Sequence, residues 1–155
     1  AITPSPQKVE YPVLLDMAAP TILAYNKETV IAEKFHALSV LGINNSRMKD
    51  YYDLWVLCQQ YEFEGDVLSR AIMATFKRRN TDLPFQLPLA LIEECYKDKV
   101  IMQRWQAFLA KTTLSLAEDS LEKVALSLQE FFLLVIQSFS DESGFKKHWD
   151  KQNWI

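Results

Sequence analysis

Lys34, Asp50 and Asp53 are the residues of this chain whose types and spacing could do chemistry. They stand within Glu28–Leu57, which reads ETVIAEKFHALSVLGINNSRMKDYYDLWVL. At helical period, Val30, Ile31, Phe35, Leu38 and Leu41 form one apolar stripe. Lys34 falls inside that stripe, while Glu33, His36 and Ser39 occupy the other side. Taking an unpaired ammonium out of water is costly, so a lysine there needs a partner or must reach back to solvent. Two readings stay open. The stem packs on the core while the ammonium pairs with a carboxylate, or the ammonium faces a cleft and binds an anion as a point charge. The second reading expects an open, phosphate-sized hollow beside the acidic start of the next helix.

Asp50 and Asp53 share that start with Arg47 and Lys49. Arg47 and Asp50 can pair along a helix, and acids are favourable in a first turn. The pattern fits surface pairing as well as an aspartate that orients Lys34 or meets a ligand. Lys77, Arg78 and Arg79 close another helical pattern, where a basic end suits the helix dipole and can also contact phosphate. His36 and His148 have no Cys, Asp or His neighbour at metal-ligand spacing. Ser46 lacks the glycine context of a nucleophile elbow. The chain's 3 glycines make no phosphate loop.

The elements that must position these residues read as mainly α: a bundle of about six helices after a short extended or β segment. Residues 1–25 form that segment, with Val9–Leu15 as a strand, and they read as the end of a domain begun upstream. Residues 26–155 form the helical domain. Asn26 caps a first helix that Gly42 stops. Further helices are expected at about Arg47–Tyr61, Asp66–Phe76, Leu89–Tyr96 and Lys99–Lys111. The second presents Met48, Tyr51, Leu54, Trp55, Cys58 and Tyr61 to the core. Ser115 and Glu118 form a capping box for a long helix to about Ser140. Its FFLLVI stretch is apolar all round, as befits the most buried helix. The tail GFKKHWDKQNWI packs back over the bundle.

A chain of 155 residues with 49% hydrophobic content can bury a real core. Its formal charge of −3 does not call for nucleic acid in bulk, although a local basic patch could. Cys58 and Cys95 make no disulfide framework and read as buried thiols of a reducing, cytoplasmic compartment. The longest apolar run, Phe131–Ile136, is too short to cross a bilayer.

ETVIAEKFHAL followed by LGINNSRMKDYYDLWVL closely resembles the AbiEii/AbiGii-type nucleotidyltransferase family, which includes toxins of abortive-infection and toxin–antitoxin systems. VEYPVLLDMAAPTILAYNKET, AIMATFKRRNTDLP and RWQAFL extend the resemblance over most of the chain; Thr29–Leu57 is its specific part. The resemblance implies a polymerase-β-like enzyme that moves nucleotides from an NTP to an acceptor, with Mg²⁺ held by carboxylates. For some members the acceptor is transfer RNA. Lys34 matches the lysine expected to contact the triphosphate. RMKDYYDL matches the later acidic motif, with Asp50 as first choice for its acid and Asp53 as second.

The family's glycine–serine motif and metal-binding carboxylates have no counterpart before Lys34, where Asp16 stands alone and no D-x-D or D-x-E pair occurs. The resemblance is therefore to a C-terminal portion that contributes Lys34 but does not catalyse alone, since two-metal chemistry needs those carboxylates. Its substrate contacts would come from Lys34, Arg47, Lys49, Arg78 and Arg79, and it has no metal ligands of its own. The partners implied are NTP, an RNA or protein acceptor and an antitoxin, with no membrane. The alternative is a non-catalytic helical module that docks an antitoxin or partner domain, or a second copy, through an exposed apolar patch at Ile2–Tyr25.

Overall fold

The computed structural model describes residues 26–41, 48–111 and 120–155. The expected strand, Asp16, Gly42, Arg47, Ser46 and the Ser115–Glu118 box lie outside them. Six α-helices make up most of the described chain: α1 (Lys27–Leu41), α2 (Met48–Gln60), α3 (Gly65–Arg78), α4 (Glu93–Tyr96), α5 (Lys99–Lys111) and α6 (Leu121–Ser138). A 3₁₀ turn covers Leu89–Leu91, so the helix expected over Leu89–Tyr96 is two pieces, broken at an extended Ile92. Two short strands, β1 (Phe63–Glu64) and β2 (His148–Trp149), pair antiparallel.

Local chemistry accounts for the boundaries. The Asn26 side chain accepts the Thr29 N–H at 2.8 Å and caps α1. Asp98 does the same for α5 through Ile101 N–H at 3.0 Å. Helix α6 starts at Ser120, whose hydroxyl accepts the Lys123 N–H at 3.4 Å, later than the capping-box reading placed it.

Helix α1 packs most extensively on α3 and also on α2, and α2 packs on α6. Val30, Ile31, Phe35 and Leu38 are buried as the stripe requires; Leu41, at the helix end, is exposed. Phe35 stacks on Phe132 at 4.2 Å and leans on Phe76 at 5.9 Å, joining α1, α6 and α3 in one aromatic seam. Two apolar readings need correction. Helix α2 buries Tyr52, Val56 and Leu57 as well as the expected face, so it is enclosed nearly all round. In α6, Leu133 is exposed, so FFLLVI presents one side to solvent.

The tail does fold back. Trp149 Nε1 donates to the Cys58 carbonyl at 2.9 Å, and Trp154 Nε1 donates to the Phe131 carbonyl at 2.8 Å. Phe131 meets both rings, Trp149 at 4.9 Å and Trp154 at 5.4 Å. Gly65 makes this docking possible. Its N–H donates to the Lys147 carbonyl at 2.7 Å. A Cβ there would lie 2.6 Å from the Phe145 ring and 2.8 Å from that same carbonyl.

Candidate active site

Lys34 leaves α1 toward the first turns of α2. Asp50 and Asp53, three residues apart, leave α2 on one side and meet it. The Lys34 Nζ lies 2.9 Å from Asp53 Oδ2 and 3.4 Å from Asp50 Oδ1. Lys34 is 4% exposed, Asp50 1% and Asp53 0%. Surface pairing at the first turn is therefore not what these acids do. Helix α2 packs on both α1 and α6, and its first-turn acids are buried. The ammonium is likewise enclosed rather than displayed in an open hollow. Of the two acids, the second choice stands closer to Lys34.

The other candidates are placed differently. Lys49 is half-buried on α2. Arg78 and Arg79, at the end of α3, both bind Glu33 of α1. Arg79 reaches it through Nε at 2.9 Å and a terminal nitrogen at 2.6 Å, and Arg78 bonds its other oxygen. Glu33 precedes Lys34, so its side chain leaves the helix about 100° away from the lysine's. The basic end of α3 thus closes that helix onto α1 on a different side from the Lys34 cluster.

His36 is half-buried, edge-on to Phe76 at 4.9 Å and bonded to the Thr81 hydroxyl at 2.9 Å. Burial, and then the charge of Arg79, hold its pKa below the ordinary histidine value. Tyr52 beside Asp53 is pushed the other way, first by burial and then by that aspartate's charge. Cys58 and Cys95 are buried free thiols, and burial raises both.

The cluster of Lys34, Asp50 and Asp53 can hold one ammonium in a fixed place between two helices. All three residues fall within the stretch that comparison with known families identifies. Residues 1–127 match the family described as nucleotidyl transferase AbiEii toxin, type IV toxin–antitoxin system. The chain belongs to that family. No curated protein and no solved structure matches it. The family match stops within α6, so the docked tail lies beyond it. Among the described residues, no helix is long and apolar enough to cross a membrane.

Sequence reasoning missed a second cluster. His148 of β2 lies between two carboxylates, with Nδ1 2.6 Å from Glu64 Oε1 and Nε2 2.6 Å from Glu62 Oε1. Hydrogen bonds to Glu62 and then Glu64 raise its pKa. The partners are 86 and 84 residues away in sequence, and only the β1–β2 pairing brings them together. No local signal announces it.

Proposed function

We propose that Lys34 is the triphosphate-facing cation of this AbiEii-family nucleotidyltransferase, and that Asp53 and Asp50 are positioning residues that hold its ammonium. The observation that supports this is the buried ammonium between two carboxylates at 2.9 and 3.4 Å, inside the family-matched stretch. The acceptor is an RNA or a protein, and an antitoxin is the partner that holds the toxin in check.

Charge limits what the cluster does alone. With both aspartates ionised, one ammonium and two carboxylates sum to one net negative charge. A triphosphate approaching Lys34 therefore needs further positive charge nearby. Lys49, and Arg47 two residues before it in sequence, are candidates on this chain.

Enzymes of this chemistry use divalent metal, and the described residues do not fit as its ligands. The two adjacent aspartates both serve an ammonium, and among the described residues no three His, Cys, Asp or Glu side chains are grouped to hold a metal ion. The metal-holding carboxylates come from elsewhere in this reading, and the 155-residue chain by itself transfers no nucleotide.

The enclosure of Lys34 favours a second reading, in which the cluster only pins α1 to α2 in a helical docking module. One variant separates the two. In K34M/D50N/D53N all three charges are removed together, so none of the three is left facing a lost partner within the cluster. Fluorescent ATP and GTP analogues are titrated into wild type and variant, with thermal melts in parallel. The proposal expects binding by wild type and a loss of about tenfold or more in a folded variant. Equal binding by both overturns it and leaves the pin. Label transfer from radioactive NTP to RNA by the chain alone would overturn its dependence on outside carboxylates.

A further inference from the structure

We propose that a hollow at the junction of α1, β1 and β2 is a binding site for an organic cation, an ammonium or guanidinium group. It is separate from the Lys34 cluster and does not depend on the nucleotide reading. The hollow is open to solvent, measures about 390 Å³ and is lined by Lys27, Glu28, Glu62, Phe63, Glu64 and His148 among others. That volume falls in the range of small-ligand pockets.

Glu28 is the residue that points to a ligand. It is 7% exposed and lines the hollow. Among the described residues, no other residue donates a hydrogen bond to its carboxylate. Burial raises its pKa, against the smaller opposing pulls of its own backbone N–H and of Lys27. A carboxylate taken from water without a fixed partner is costly, and an incoming cation would supply the partner.

The rest of the wall suits the same ligand. Glu62 and Glu64 each spend Oε1 on His148. Their Oε2 atoms accept no hydrogen bond among the described residues, so two further acceptors remain. The aromatic side already supports a cation: Lys27 Nζ lies 5.0 Å from the Phe63 ring centre and donates to the Glu62 carbonyl. Three carboxylates against Lys27 and His148 repel an anion. A metal ion is disfavoured too, because the described residues offer no group of three donors at ligand spacing. The cation is either a free polyamine or a basic side chain of a partner protein.

The test is amide NMR on the full, isotope-labelled chain, titrated with spermidine in one arm and N-acetyl-arginine amide in the other. Sodium chloride at matched ionic strength is the control. Saturable shifts confined to Glu28, Glu62, Phe63, Glu64 and His148 are expected, with the Glu28 carboxyl titrating at lower pH once saturated. Affinity should fall about tenfold in E28Q and measurably in E64Q, which sits at an exposed position and leaves the fold intact. Saturation by spermidine alone assigns a free polyamine, and saturation by the arginine amide assigns a partner's side chain. Linear shifts that track sodium chloride, or wild-type affinity in both variants, overturn the site.

Discussion

Two clusters in this protein have the same composition, one basic group between two carboxylates, and opposite settings. Lys34 with Asp50 and Asp53 is enclosed between α1 and α2. His148 with Glu62 and Glu64 lies on the surface, with the two glutamates 54% and 66% exposed. In the first, water cannot compensate for a lost partner, so each member depends on the others. In the second, solvent screens the charges and replaces any that are removed. Identical chemistry therefore has structural weight in one place and sensitivity to conditions in the other.

The largest break should come from the buried cluster. Lys34→Met removes the ammonium bonded to two interior aspartates and should cost about 3–5 kcal/mol in urea unfolding. Adding D50N and D53N should recover most of that loss, and failure to recover would mean that packing, not charge, holds the site. Next comes Gly65→Ala, which strikes the frame of the surface cluster instead of its charges. Its methyl group would press on Phe145 and the Lys147 carbonyl, so a loss of about 1–3 kcal/mol is expected, with the tail loosened first in hydrogen exchange. Glu33→Gln weakens its pairing with Arg78 and Arg79, which are partly exposed. It should cost less than about 1 kcal/mol, and less again in molar salt.

The smallest effect sharpens the comparison through pH. The His148 pKa is raised in the fold, so its contribution is fully present below the unfolded value near 6.5 and is lost as pH rises through the folded value. The His36 pKa is lowered, so its contribution is present above 6.5 and is lost as pH falls through its folded value. Chemical denaturation from pH 5 to 9 should therefore show opposite changes in slope in H148Q and H36Q relative to wild type. The same sign in both would refute the assigned environments.

The buried cluster was largely legible and the surface one was not, for physical reasons. A lysine within an apolar stripe needs a partner, and helical period alone exposes that demand at Lys34. Two aspartates three apart at the next helix start supply it. The order of Asp53 before Asp50 was not legible, because it depends on how α2 is rotated against α1. Burial of that first turn was hidden for a similar reason: α2 carries apolar residues on more than one side, and only its packing against neighbouring elements decides which acids leave solvent. His148 offered nothing locally. Two-residue strands have no alternation to read, and the register Glu64 opposite His148 exists only after the tail has crossed the bundle. The exposed side of α6 at Leu133 was likewise masked by an unbroken apolar run.

The docked tail also carries its own optical reporter. The indole rings of Trp149 and Trp154 lie 5.4 Å apart and are inclined at 56°. Two indoles held so close and so tilted sit in a fixed asymmetric setting, which gives a near-ultraviolet circular dichroism signal that fades when they separate. Release of the chain end can thus be followed in unlabelled protein, by spectroscopy, while the helical signal in the far ultraviolet stays constant.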